Sequence, residues 1–357
     1  MLRVCLVGLA AGGHSGVPRY AAALTGALDR VAGEFPDLSL RLLTTPRGAE
    51  ESDARQVEVE VARAPSAGPG RILNEQVRAR RAEGDLLHFF DLTGPVLARR
   101  RAFVTTVHDA ALRHGFEGVR LLHKRLLQPW ALRHAVAAVA VSAFAREEAV
   151  RMFGADGDRI EVIHSGPGLV AGNDGAVPID GEPYVLYVGN LAAHKNLPFL
   201  VRTFEASGVG GRLLLVGRRG ERFEEVRRTV EASSVRGRIE IRRDVSDREV
   251  DSLYRGASAL VLPSHYEGFG FTALEAMARG CPVLASDIPA LREVSGEGAW
   301  LLPVDDEAAW ADAMRRVLGD GALRDDLRRS GEETVRRYSW DDTARRVCRL
   351  FRRAGAT

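Results

Sequence analysis

The chain is short of lysine, cysteine, net charge and long apolar runs. Of its 50 basic residues only Lys124 and Lys195 are lysine; the rest are arginine. Against 48 acidic residues this leaves a formal charge of +2, so no field of one sign points to nucleic acid as a partner. Cys5, Cys281 and Cys348 are few, odd in number and far apart, which excludes a disulfide framework and zinc-ligand spacing. Each is expected as a small buried side chain. No apolar run approaches the roughly 18 residues of a membrane-spanning helix. The opening Met1-Leu2-Arg3-Val4-Cys5-Leu6-Val7-Gly8 is too short and too early for a signal-peptide core and reads as a strand. These absences favour a cytoplasmic protein, with a peripheral place on the inner face of the cell membrane as a further option.

What is present is ordinary globular chemistry, 45% hydrophobic and 27% charged over 357 residues, long enough for about two domains. Short apolar runs alternate with longer amphipathic ones. The runs at 3–7, 38–44, 57–61, 86–89, 103–107, 137–141 and 160–163 read as strands of a first half. Helical stretches at 18–32, 71–82, 119–134 and 143–153 lie between them. The segment 168–183, with four glycines, two prolines and little apolar pattern, breaks the rhythm. Alternation restarts with strands at 184–188, 212–216, 239–242, 259–262, 282–285 and 299–302. Helices are expected at 197–205, 222–233, 247–256, 272–279, 307–318 and 322–338, and a last basic one over 341–354. Continuous apolar strands with helical crossovers predict an α/β fold of parallel sheets. The expected organisation is a Rossmann-like domain over 1–168, a linker over 169–183, a second Rossmann-like domain over 184–338 and a C-terminal helix within 339–357 packing back on the first domain. Two such halves imply a cleft, with ligands beyond the carboxyl ends of the strands.

Two stretches carry chemistry. In Pro263-Ser264-His265-Tyr266-Glu267-Gly268-Phe269-Gly270-Phe271-Thr272-Ala273-Leu274-Glu275, an apolar strand runs into a glycine loop and then a helix. That geometry presents backbone N–H groups to a phosphate, while the flanking carboxylates suit sugar hydroxyls. A capping box, Thr272-x-x-Glu275, would by itself explain the second glutamate, and a solvated loop acid the first. In Tyr187-Val188-Gly189-Asn190-Leu191-Ala192-Ala193-His194-Lys195-Asn196, a strand leads to one of the two lysines at the start of a helix. Asn196 is the expected N-cap and Pro198 a first-turn proline. Lysine binds phosphate as a compact point charge.

These two stretches, with Ser286-Asp287-Ile288-Pro289-Ala290-Leu291-Arg292-Glu293-Val294 downstream, resemble the retaining glycosyltransferases of the GT-B fold, family 4 (glycosyltransferase group 1). The resemblance implies an enzyme of two Rossmann-like domains that moves a hexosyl unit, of mannosyl or glucosyl type, from a GDP- or UDP-linked sugar to a hydroxyl of a glycan, glycolipid or small molecule. It implies that Glu275 binds the donor ribose, that Glu267 contacts the donor sugar, and that Lys195 holds the diphosphate. The backbone of Gly268, Phe269, Gly270 and Phe271 would meet the sugar and distal phosphate. Gly189 belongs to the strand-end loop, and Val245 to the segment that holds the base. Members of the family carry an arginine after that loop glycine; Asn190 stands there in this chain, with His194 or Arg218 as candidate substitutes.

In the first half, Gly12-Gly13-His14-Ser15-Gly16-Val17-Pro18-Arg19-Tyr20 resembles the family's glycine loop, with Gly16 expected to abut the donor phosphate or the acceptor. His108, at the end of the strand 103–107, is the position implied to approach the transferring sugar. His88 and Ser142 hold comparable strand-end positions. With no Asp-x-Asp at a strand end, the expectation is no obligatory metal and no cofactor. Lys195 and two helix N-termini would then meet the charge on the leaving diphosphate.

The acceptor is poorly specified. The basic clusters Arg78-Arg80-Arg81, Arg99-Arg100-Arg101 and His123-Lys124-Arg125 read as solvated surface or, more sharply, as contacts to an anionic membrane. A non-catalytic nucleotide-sugar-binding protein and a GT-B epimerase or phosphorylase stay open as readings. An NAD-dependent oxidoreductase needs an acidic residue closing the second strand, which instead ends Leu42-Leu43-Thr44-Thr45.

Overall fold

The computed structural model describes residues 1–9, 16–50, 54–62, 69–98, 101–110, 118–168, 182–218, 220 and 222–356, the side chains of 69–73 and 118–124 excepted. These residues form two compact units, one running to Gly168 and taking in Tyr338 onward, the other ending at Arg337. Residues 12–15 of the expected glycine loop 12–20, most of the linker, Arg99, Arg100 and the side chains of His123 and Lys124 lie outside the described residues.

The first unit carries β1 (Leu2–Gly8), β2 (Leu38–Thr44), β3 (Glu58–Val61), β4 (Leu86–Phe89), β5 (Ala102–Val107), β6 (Ala137–Ala140) and β7 (Ile160–Val162). They pair in parallel in the order β3-β2-β1-β4-β5-β6-β7. Helices α1 (Gly16–Val31), α2 (Pro46–Glu50), α3 (Pro69–Arg81), α4 (Gly118–His134) and α5 (Ala143–Phe153) make the connections. The second unit repeats the plan. Its strands are β8 (Tyr184–Val188), β9 (Arg212–Val216), β10 (Ile239–Arg242), β11 (Ala259–Leu262), β12 (Val283–Ser286) and β13 (Trp300–Leu302). They pair in parallel as β10-β9-β8-β11-β12-β13. Its helices are α6 (Leu197–Ser207), α7 (Phe223–Ala232), α8 (Asp247–Gly256), α9 (Phe271–Met277), α10 (Pro289–Ser295), α11 (Glu307–Gly319) and α12 (Gly321–Val335). In both sheets the strand order reverses beside the first strand, the arrangement that opens a ligand crevice at the strands' carboxyl ends.

The central strands are covered on both faces, which is why they read as unbroken apolar runs: Leu213, Leu214, Leu215 and Val216 are all buried, as are Ala259 to Leu262. Two short helices, α2 and α10, were not expected. Each begins with a proline, Pro46 and Pro289, whose fixed φ favours a first helical turn. Helix α9 begins one residue earlier than expected, and α12 ends at Val335 rather than near 338.

The last helix, α13 (Trp340–Gly355), packs in the first unit against α1. Its apolar face repeats at helical spacing, with Ala344, Val347, Cys348, Phe351 and Ala354 buried. Its arginines meet the carboxylates of that unit. Arg345 Nε lies 2.8 Å from Glu34 Oε2, and Arg352 Nε 2.8 Å from Asp37 Oδ2. Trp340 Nε1 donates to the Pro167 carbonyl at 2.6 Å and Thr343 Oγ1 to His164 at 2.7 Å. Much of the arginine excess thus has a structural use. The three cysteines are free and buried. Burial pushes the Cys5 thiol up to about 11 and those of Cys281 and Cys348 up to about 12, so none is a thiolate at neutral pH.

Candidate active site

The loops after β8, β9 and β11 meet at the carboxyl end of the second sheet. Gly189 donates its N–H to Val216 at 2.9 Å, and Leu191 donates to the Arg218 carbonyl at 3.1 Å. The two backbones touch at Gly217, where a Cβ would stand 1.6 Å from the Gly189 oxygen. Only glycine fits there. The Tyr187 hydroxyl, fully buried, donates to the Asn190 carbonyl at 2.9 Å and pins the same turn from beneath. The chain then makes one tight turn, Ala193–Lys195, before α6. The His194 carbonyl of that turn accepts from His265 N–H at 2.8 Å, which joins it to the loop after β11.

This arrangement aims Lys195 at Glu267. Nζ donates to Oε1 at 2.7 Å, with the two side chains only 16% and 12% exposed. Ser264 Oγ, itself buried, donates to the same Oε1 at 2.8 Å. Burial opposes charge on Glu267, but the Lys195 ammonium, the Ser264 hydroxyl and the nearby His194 outweigh it and hold the carboxyl below its usual range. The first glutamate is therefore no solvated loop acid.

Glu275 is 3% exposed, and the capping box does not form. Gly270, at φ 102°, is the N-cap of α9, so Thr272 already lies inside the helix. A Cβ on Gly270 would stand 2.7 Å from Leu291 of α10, and its left-handed backbone suits glycine alone. Glu275 Oε2 instead accepts from the Tyr254 hydroxyl of α8 at 3.0 Å. In the turn after α9, Arg279 Nε donates to Asp251 Oδ1 at 2.7 Å, and Arg255 Nε reaches Oδ2 of the same carboxylate, also at 2.7 Å. Helix α8 thus clamps both α9 and the turn that follows it.

The remaining candidates of this unit fall around that pair. Phe269 is buried and meets the Phe271 ring edge-on at 5.0 Å; Gly268 is half-buried beside it. Val245 is half-buried between Asp244, at φ 55°, and Ser246, which caps α8 in a capping box. Asn190 and Arg218 are exposed on adjoining turns. Asn196 occupies the N-cap position of α6 but does not cap it. At φ 56° its backbone is left-handed, and its amide donates to Asp305 Oδ1 at 2.8 Å, where His265 Nε2 also lies at 2.9 Å. Among the described residues, no group of three or more His, Cys, Asp or Glu is placed to hold a metal ion.

In the first unit, His108 follows β5 and is half-buried. Its Nε2 lies 2.7 Å from the Phe90 carbonyl, and its ring rests edge-on against Tyr20 with centroids 4.7 Å apart. Gly16 opens α1, exposed, with open space where a Cβ would be. Two other candidates turn out to be structural. His88 lies inside β4, fully buried, with Nε2 3.0 Å from Thr106 Oγ1. Ser142 caps α5 by accepting from Ala145 N–H at 2.9 Å. Arg101 is likewise engaged, donating to the Ala82 and Gly84 carbonyls at 2.7 and 2.5 Å, whereas Arg80, Arg81 and Arg125 are exposed.

Ser264 and Tyr254 escaped the sequence reading. Ser264 sits three residues before Glu267, a spacing that pairs side chains on a helix, but the two lie in the loop after β11, where that rule gives no pairing. Nothing local pairs residue 254 with 275; only the packing of α8 on α9 does.

Comparison with known proteins settles the family. The chain is 31% identical over 307 residues to a D-inositol 3-phosphate glycosyltransferase of Nocardia farcinica, spanning 76% of this chain and 67% of that protein. Residues 174–334 match the family described as glycosyl transferases group 1, and 14–167 that described as glycosyltransferase family 4. The chain belongs to the family 4 glycosyltransferases. This glycosyltransferase is also 28% identical over 267 residues to the O-antigen chain mannosyltransferase B of Escherichia coli, which covers 70% of each chain. Its fold matches that of HepE from Anabaena, solved in complex with UDP and glucose, with a TM-score of 0.73 over 99% of this chain and 100% of that one, at 15% identity. The expected GT-B class, two parallel α/β units, is thereby shown. No described helix of the glycosyltransferase is long and apolar enough to cross a membrane.

Proposed function

We propose that this chain transfers a hexosyl unit, mannosyl or glucosyl, from a GDP- or UDP-linked sugar to an acceptor hydroxyl, with retention of anomeric configuration and without an obligatory metal. The observation that carries this reading is the Lys195–Glu267 pair, nearly enclosed where the loops after β8 and β11 meet, with Glu275 buried on α9. Lys195 binds the diphosphate, Glu267 a hydroxyl of the hexose and Glu275 the ribose. The backbone of Gly189 and of Gly268 to Phe271 lines the phosphates and sugar, and Val245 the base. The mannosyltransferase relative favours a mannosyl donor, and the UDP and glucose held by HepE favour the uridine-linked alternative.

When the anomeric C–O bond breaks, its electron pair passes to the diphosphate oxygen. Lys195 and the N-terminal amides of α6 stabilise that charge in place, by preorganised electrostatics. The acceptor hydroxyl gives its proton to the same departing phosphate and bonds to the anomeric carbon on the face just vacated. No protein nucleophile takes part. His108 and Gly16 are proposed contacts of the transferring sugar and of the acceptor or phosphate. The acceptor is a glycan, glycolipid or small molecule, and a peripheral membrane contact through Arg80, Arg81 and Arg125 belongs to the same proposal.

Purified protein should transfer sugar from one of a panel of GDP- and UDP-hexoses in the presence of EDTA. The product's anomeric configuration, read by NMR, should match that of the donor. An inverted linkage sinks the retaining reading, and loss of activity on chelation sinks metal independence.

A further inference from the structure

Lys195 has one partner among the described residues, and that partner is an acid. Nζ donates a hydrogen bond to Glu267 Oε1 at 2.7 Å in a site where both side chains are largely hidden from water. Ser264 donates to the same oxygen at 2.8 Å. Both hydrogen bonds thus end on Oε1, and Oε2 receives neither. The pair is electrically neutral as it stands.

We propose that Glu267 makes the site discriminate against the bare nucleoside diphosphate, by competing with the phosphates for the one lysine. The idea rests on the nucleotide-sugar reading above. A diphosphate that approaches Lys195 brings negative charge next to a desolvated carboxylate, and in so enclosed a place repulsion is poorly screened. The intact donor offsets this repulsion because its hexose presents hydroxyl donors to Glu267. The spent nucleotide has none. Once the sugar has left, Glu267 faces the diphosphate uncompensated and regains the full Lys195 ammonium. The same carboxylate that holds the sugar therefore weakens the hold on the product. Product release and selectivity for loaded donor come from one ion pair.

Two measurements decide it. In the wild-type protein, calorimetric titration should show the intact nucleotide sugar binding more tightly than UDP or GDP alone, although the bare diphosphate carries more charge. In Glu267→Gln, which keeps the shape and removes the charge, the bare diphosphate should bind about tenfold more tightly than to wild type, the scale of one charge-assisted hydrogen bond. The intact donor should gain less, and the order of the two ligands should invert. Glu267→Ala should move the bare diphosphate in the same direction, so the comparison does not depend on one variant folding. If wild type prefers the bare diphosphate, or if both variants bind it no better than wild type does, Glu267 is no competitor and the proposal is wrong, while the donor site stands. If wild type binds neither UDP, GDP nor any sugar conjugate of them, the nucleotide-sugar reading fails and this proposal with it.

Discussion

The ammonium of Lys195 stands 2.7 Å from Oε1 of Glu267, 72 residues further along the chain. One of only two lysines in the protein is thus fixed against the first glutamate of the glycine loop, inside a site that excludes most water. Replacing Lys195 by alanine should lower kcat/KM by about 10- to 150-fold, since a charge-assisted contact contributes roughly 1.5–3 kcal/mol and about 1.36 kcal/mol is tenfold. Steady-state transfer assays check this, and near wild-type turnover removes Lys195 from the diphosphate.

The same substitution should change the response to acid. Glu267 titrates below its ordinary 4.5 in the folded protein, because Lys195 and its other partners outweigh burial. A carboxyl depressed by folding adds stability in full above its unfolded value, and that stability is lost as pH falls through the folded value. Without Lys195 only the Ser264 hydroxyl and the nearby His194 oppose burial, and most of the advantage goes. Melting temperatures of wild type and Lys195→Ala should differ most near neutrality and converge as the pH drops below about 4.5. A gap that stays constant with pH contradicts the coupling.

Tyr254→Phe keeps the ring that packs α8 on α9 and deletes the 3.0 Å donor to Glu275. A hydrogen bond to a charged group is worth about 1.5–3 kcal/mol, so the donor KM should rise around tenfold or more while kcat changes less. The penalty should shrink with a donor lacking the ribose hydroxyls. An equal loss on both donors shows Tyr254 to be structural only.

Gly217→Ala places a methyl where the Gly189 carbonyl already stands, 1.6 Å away. The obstacle is backbone, so it cannot rotate aside, and the loops after β8 and β9 must part. Overpacking of this kind costs about 1–3 kcal/mol, measurable by urea denaturation, and it should be accompanied by lost activity because the same turn leads to Lys195. Gly237, with open space around it, is the control and should accept alanine.

His88 should make the first unit acid-sensitive. Burial, and then the nearby His108, push its ring down to about 3 from an ordinary 6.5. The fold therefore favours the neutral ring, and that preference is fully present above about 6.5 and lost as pH falls toward 3. His88→Gln should flatten the decline in unfolding free energy over this window. An unchanged slope means that other groups carry it.

The alternation of apolar runs with amphipathic helices was legible almost throughout. Tyr184–Val188, Arg212–Val216 and Ala259–Leu262 appear at the expected places because strands buried on both faces admit hardly anything but apolar residues. The positions of Lys195 and Glu267 were also visible, since each follows such a strand. What those residues touch was not. Glu275 looked like part of a capping box, because Thr-x-x-Glu is a local pattern. Gly270 took the N-cap instead, and Tyr254, 21 residues earlier, claimed the carboxylate. His88 and Ser142 looked like strand-end candidates until burial in one case and a helix cap in the other gave them structural work.

The sequence by itself determined the strand and helix order, the α/β class and the two loops where the chemistry collects, because hydrophobic periodicity and glycine placement are local properties. Only the tertiary structure decided the partners. Lys195 meets Glu267 because β8 and β11 are neighbours in the sheet though distant in the chain, and Glu275 meets Tyr254 because α8 lies on α9. Contacts of that kind depend on which strands and helices become neighbours, and no stretch of sequence states that by itself.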